Sequence, residues 1–360
     1  MIRKKVYLEW MRVIAIFLVL FNHLPAYSLY ITASGAVQGI LMYMSMLARV
    51  NVPLFLMISG AVLLNRQEDF ITVLKKRISR IFAALVLFSL GLFIGHTLYY
   101  TLVKGMEYDH SLRRFLYDLF SMKLEGAGSY WYLFTFLGYL FALPYLQRIA
   151  QGFTRQDFMA LAALRTLLGA CLPILNLALT GRGFPAFGIT GDFSVPLATI
   201  HFLFYPLAGS YLDRLDIEKM SRRTLARIVL GGAGALAISC LCTYIQAGRS
   251  GTFSQSYVQL FDYAAAIAAF LLIKRLTLVT FPQLCRGKTA RVICFMGSVT
   301  FGIYLLDPYL KLIGWGPYSR LVSGFLPPLA LSVSWCALSM LAGGAITWIL
   351  KKLPVFRKLL

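Results

Sequence analysis

The chain has 360 residues, 59% of them hydrophobic and only 14% charged, with a mean hydropathy of +0.72. A water-soluble fold of this length needs more polar surface, so the composition excludes an ordinary soluble enzyme or binding module and indicates an all-α, polytopic integral membrane protein. The formal charge of +21, which in a soluble chain would suggest a nucleic-acid partner, is read here as the Lys and Arg excess of cytoplasmic loops, and no nucleic-acid partner is expected.

Hydropathy predicts about ten transmembrane helices, over residues 6–26, 38–64, 80–101, 131–147, 158–179, 195–212, 225–246, 256–273, 291–313 and 326–350. An even number places both termini on one side. With both termini in the cytoplasm, 24 basic residues lie in inside segments or at their edges and 8 in outside loops or at their edges, the bias expected of cytoplasmic loops. No polar segment approaches domain size, so residues 1–360 are read as a single transmembrane domain. Arg3-Lys4-Lys5 followed by an apolar run superficially resembles a signal peptide, but Glu9 and Arg12 interrupt it, and it is read as a retained first helix.

The first span, EWMRVIAIFLVLFNHLP, carries the most informative pattern. Arg12 and His23 are eleven residues apart. On a helix they fall within about 20° of one face, separated by about 16 Å of rise. Ionisable groups inside a membrane are costly, so this face is a candidate site. Arg12 otherwise snorkels to the inner interface and pairs with Glu9; His23 otherwise packs as a satisfied histidine. Arg49 and Asn51 lie in the second span and are read as partners for acids or carbonyls elsewhere. The segment Lys75-Lys76-Arg77-Ile78-Ser79-Arg80 either binds an anion or only sets topology.

The outside loop at about 102–130 contains LRRFLYDLF, whose apolar spacing predicts a short interfacial helix. The Gly- and aromatic-rich segment 180–194 either lines an acceptor groove or is a turn-rich connector. LGGAGAL at 230–236 lies inside a span and predicts close helix packing. Pro53, Pro173, Pro196, Pro206 and Pro308 predict kinks or unwound turns. Counting from the inner end of each span places His23, His201, Asp262 and Asp307 in an outer layer, and Arg12, Arg165 and the basic segment in an inner one. Asp262 and His201 are read as structural hydrogen-bonders. Asp307, before Pro308, either caps amides freed by a broken helix or serves the site. The six cysteines show no zinc or redox spacing, and no metal is expected.

At these residues the sequence resembles the acyltransferase family 3 membrane proteins, particularly bacterial O-acetyltransferases that modify surface polysaccharides. That family's first helix carries an arginine, ten intervening residues and a histidine, matched by Arg12 and His23, with Glu9 matching an acid three residues before the arginine. VPLFLMISGAVLL at 52–64 resembles its second helix, and Arg77-Ile-Ser-Arg80 its short R-x-x-R motif. SYWYLFTFLGYLFALP at 129–144, with Trp131, and SVTFGIYLLDPYL at 298–310 resemble later helices. One position departs: many relatives carry histidine where this chain has Asp307. That removes an imidazole role there and leaves a carboxylate able to orient His23.

The resemblance implies a multi-pass protein of the bacterial cytoplasmic membrane that moves an acyl group, most often acetyl, from acyl-CoA to a hydroxyl of a saccharide or lipid-linked saccharide. Acyl-CoA is then a donor substrate, and no cofactor is permanently bound. His23 and Asp307 are the expected catalytic residues, and Arg12, Arg77 and Arg80 the expected phosphate ligands. Glu9, Asn22, Arg49, Asn51, Trp131, Arg165, His201 and Asp262 are expected in support. A transporter or flippase, and a non-catalytic membrane module, are the alternatives. The absence of an internal repeat weighs against a transporter built of duplicated halves.

Overall fold

The apolar runs fold as helices joined by short capped turns. The structure is a computed structural model that describes residues 5–106, 109, 111–180, 195–253 and 260–360; the segment 181–194, most of the predicted groove or connector, lies outside the described residues. In chain order the helices are α1 (Val6–Asn22), α2 (Gly35–Ala48), α3 (Asn51–Leu63), α4 (Phe70–Leu102), α5 (Leu112–Phe120), α6 (Trp131–Gly152), α7 (Arg155–Leu179), α8 (His201–Arg214), α9 (Arg222–Ser250), α10 (Asp262–Thr280), α11 (Gly287–Val322), α12 (Pro328–Leu350) and α13 (Pro354–Leu359). The described residues contain no β-strand.

Eight of these helices are long and apolar enough to cross a membrane: α2 with α3 as one span, α4, α6, α7, α9, α10, α11 and α12. They correspond to eight of the ten predicted spans. The first predicted span becomes α1 followed by a 3-10 turn, Pro25–Ile31, bent from it by 60°, and makes a ninth if the pair crosses together. The sixth becomes a single turn, Pro196–Thr199, followed by α8. At 14 residues α8 is about 21 Å long, short of a hydrocarbon core of about 30 Å. Large apolar residues such as Leu230, Leu241 and Leu341 are exposed on the long helices, as a lipid-facing surface requires.

The helix ends follow from local chemistry. Asp69, Ser111 and Ser221 cap α4, α5 and α9 by accepting backbone N–H bonds from Thr72, Arg114 and Thr224 at 3.0, 3.2 and 3.0 Å. Thr154 and Asp157 form a reciprocal capping box at the start of α7. Gly251 closes α9 with φ +71, its N–H donating to Ala247 O at 2.9 Å. The predicted interfacial helix is α5, nine residues with Phe115 and Leu119 buried and Leu112, Tyr117 and Phe120 exposed. π-type turns interrupt α4 at Leu74–Ile78, α7 at Leu167–Cys171 and α11 at Lys311–Trp315, and one ends α10 at Leu276–Thr280.

The chain packs as two compact units interleaved in sequence, one from 1–67 and 145–298, the other from 68–144 and 299–360. In the first unit, α3 and α8 approach backbone to backbone. A side chain at Gly60 would collide with the main-chain oxygen of Pro206, and one at Gly209 with that of Met57. Gly232, within LGGAGAL, packs α9 on α10; a Cβ there would lie 2.8 Å from that of Ala268, the close packing predicted for this stretch. In the second unit, α11 packs on α12 through Gly302 beside Thr347, and Tyr309 donates its hydroxyl proton to Phe88 O on α4.

Candidate active site

In the first unit the site residues begin on α1, which is continuous from Arg12 to Asn22. Arg12 Nη1 donates to Glu9 Oε1 at 2.6 Å, one turn earlier. Glu9 is 2% exposed, and its other oxygen lies against Gly297 of α11, where any side chain would collide with it. The pairing of Arg12 with Glu9 that helix spacing allows is therefore made, and a glycine opens the space for the acid.

His23 is the residue on which α1 stops. Its N–H still bonds Val19 O and Leu20 O at 3.2 Å, but Leu24 is already extended (φ −109°, ψ 158°) ahead of Pro25. A proline disfavours helical backbone at the residue before it, so the sequence Leu24-Pro25 fixes both the helix end and the position of the imidazole at the bend. The imidazole is half-buried. Asn22 Nδ2 donates to Ala48 O at 3.4 Å, and its buried Oδ1 has no hydrogen-bond partner among the described residues. This contact sets the end of α1 beside the end of α2. Arg49 caps α2, with its guanidinium 5.0 Å from the Tyr27 ring centroid. Asn51 opens α3, and its side-chain oxygen accepts the Val52 N–H. Arg49 and Asn51 thus flank the break in the second predicted span rather than lying within one helix.

A second polar cluster in the same unit centres on Asp262. Its Oδ1 accepts the Tyr205 hydroxyl at 2.8 Å and lies 3.8 Å from Arg165 Nη2. Arg165 also donates to Tyr205 Oη at 3.1 Å and, from Nη1, to Ala198 O at 2.9 Å and Thr199 O at 3.3 Å. The Phe204, Tyr205 and Tyr263 rings enclose the guanidinium at 4.9, 4.9 and 5.5 Å. The His201 ring meets that of Tyr205 edge-on at 5.5 Å. Depth counting placed Arg165 in the inner layer, apart from Asp262 and His201; the structure brings all three together. Counting assumes upright spans, whereas here the turn at Pro196–Thr199 offers its carbonyls to an arginine that reaches with a long side chain.

In the second unit, Arg77 and Arg80 flank the junction of the π turn with the rest of α4. Arg77 makes a two-point ion pair with Glu68, Nε to Oε2 and Nη2 to Oε1, both at 2.6 Å. Arg80 donates from Nε to Leu359 O and from Nη2 to Leu360 O, both at 2.9 Å. Sequence reading did not single out Glu68. The available signal was that Glu68 and Asp69 are the only acids between 65 and 80, a stretch otherwise rich in Lys and Arg. Trp131 opens α6 and is 46% exposed. Asp307 is buried on α11. That helix runs unbroken through Pro308 to Leu310, so the broken helix expected at Asp307 is not there; the irregularity comes one turn later, at Lys311. The start of α6 clasps this stretch: Tyr130 donates to Leu305 O at 2.6 Å, and Tyr304 to Ser129 O at 2.5 Å.

The sequence model of the acyltransferase domain of acyltransferase family 3 matches residues 5–350, nearly the whole chain. The chain belongs to this family. The family 3 protein matches no curated protein and no solved structure. Its match begins at the start of α1 and ends with α12, so the Arg12–His23 helix, the Arg77–Arg80 turn and Asp307 all lie inside the acyltransferase domain.

Proposed function

We propose that this membrane acyltransferase is an O-acyltransferase of the bacterial cytoplasmic membrane, acting as one domain. It takes an acetyl group from cytoplasmic acetyl-CoA and passes it to a hydroxyl of an envelope saccharide or lipid-linked saccharide, with both chain termini in the cytoplasm. The observation that carries this reading is α1. It is an uninterrupted helix with a guanidinium near one end and an imidazole at the other, about 16 Å apart along the axis, in a chain of this family.

That spacing suits a donor whose charged nucleotide end and reactive thioester are joined by an extended arm. Arg12, Arg77 and Arg80 hold phosphates, the planar guanidinium fork matching phosphate oxygens. His23 takes the proton of the acceptor hydroxyl as its oxygen attacks the thioester carbonyl; the C–S bond then breaks and the thiolate leaves with that proton. Asp307 orients the imidazole and favours its protonated form.

The test is incubation of the purified protein with acetyl-CoA and envelope saccharide fractions. Acceptor-dependent release of free thiol, with label appearing as an ester on the saccharide, is expected. Solute uptake into vesicles with no dependence on acetyl-CoA would replace this reading by transport.

A further inference from the structure

The two arginines of the R-x-x-R segment are held in the same way. Arg77 and Arg80 each use the Nε–Nη2 edge of the guanidinium, Arg77 on the Glu68 carboxylate and Arg80 on the main-chain oxygens of Leu359 and Leu360. Among the described residues, neither Nη1 has a hydrogen-bond acceptor, so the end-on Nη1–Nη2 edge of each fork remains. The anchors are themselves fixed. The Glu68 side chain is 17% exposed, Leu360 is buried, and α13 sets Phe356 edge-on to Phe88 of α4 at 6.2 Å. Arg77 and Arg80 carry like charges three residues apart on α4, a spacing at which side chains are neighbours on a helix.

We infer that Glu68 is a positioning residue for the acyl donor: it holds the Arg77 fork so that its end-on edge, beside that of Arg80, meets the donor phosphates. This rests on the reading that these arginines bind the donor. Glu68 itself does not touch the donor. The inference has a sign opposite to that of simple electrostatics. Removing a carboxylate near a polyanion site should tighten binding if charge alone matters. If the carboxylate positions the fork, its removal weakens binding, because a long side chain with free rotamers must then be ordered by the ligand.

The experiment measures calorimetric affinity for acetyl-CoA on the full-length protein and its Glu68→Gln, Glu68→Asp and Arg77→Ala variants. S-acetylpantetheine, which lacks the nucleotide phosphates, serves as a second probe. Glu68→Gln is expected to weaken acetyl-CoA binding about tenfold, the scale of one charge-assisted hydrogen bond. Glu68→Asp, which keeps the charge but withdraws it by one methylene, should also weaken it. Neither should change S-acetylpantetheine binding, a pattern that general loss of structure would not produce. Tighter or unchanged acetyl-CoA binding in Glu68→Gln, or equal loss for both probes, overturns the inference while leaving the donor reading intact. Unchanged affinity in Arg77→Ala removes the donor reading itself. If Glu68→Gln does not fold, Glu68→Asp decides alone, by the same two probes.

Discussion

At the scale of single residues, His23 and Asp307 make separable demands. His23 ends its helix through the Leu24-Pro25 step rather than through its own side chain, so replacing the imidazole should leave the backbone in place. His23→Ala should lower turnover by about 10²–10⁴-fold, the usual contribution of a positioned base, with acetyl-CoA affinity unchanged by calorimetry. A loss of affinity equal to the loss of turnover would move His23 from chemistry to donor binding. Asp307→Asn keeps the shape and removes the charge proposed to favour the imidazolium. Steady-state assays should show turnover falling sharply at an unchanged thermal midpoint, and Asp307→His should retain part of it. Wild-type turnover in Asp307→Asn would exclude the residue from the mechanism. The Glu9–Arg12 pairing was legible because helical period alone fixes it. The Arg77–Glu68 pair was not, because nine residues and a π turn separate its members. The Arg165–Asp262 cluster was not, because it joins helices far apart in sequence and depends on their tilt.

At the scale of elements, the close crossing of α3 and α8 is reciprocal. Each helix offers a glycine to a main-chain carbonyl of the other, Gly60 to Pro206 and Gly209 to Met57. With backbone on both sides there is no flexible side chain to give way, so added volume must push the helices apart. Gly60→Val and Gly209→Val should each destabilise the protein in detergent by at least about 1–3 kcal/mol, read as a lowered midpoint in chemical denaturation. An unchanged midpoint in both would show that the crossing is looser than the geometry requires. The apolar run over α3 announced a helix but not this neighbour, since nothing local in VPLFLMISGAVLL says which helix its glycine meets. The start of α4 was missed: hydropathy begins that span at 80, whereas the helix opens at Phe70, where Asp69 accepts the Thr72 N–H and hydroxyl.

At the scale of the whole molecule, the excess of basic residues predicts an orientation that labelling can check. Single cysteines placed in 66–79 and 214–227 should react only with reagents that reach the cytoplasm, and those in 102–130 only with impermeant reagents outside. The reverse pattern would put Arg77 and Arg80, the proposed donor ligands, on the side without acetyl-CoA. The hydropathy profile made the all-α membrane architecture plain, since runs of this length have no alternative in lipid. It said nothing of the interleaving, because contacts rather than composition define the two units. That interleaving bears on how the protein is made. As the chain leaves the ribosome, residues 1–67 belong to a unit whose remaining part, 145–298, has yet to be synthesised, and residues 68–144 wait for 299–360. Neither unit can be completed in the order of synthesis before its neighbour has begun, so the early helices must persist in the bilayer without their later partners while those are made. A premature stop before residue 298 leaves both units without part of their packing partners.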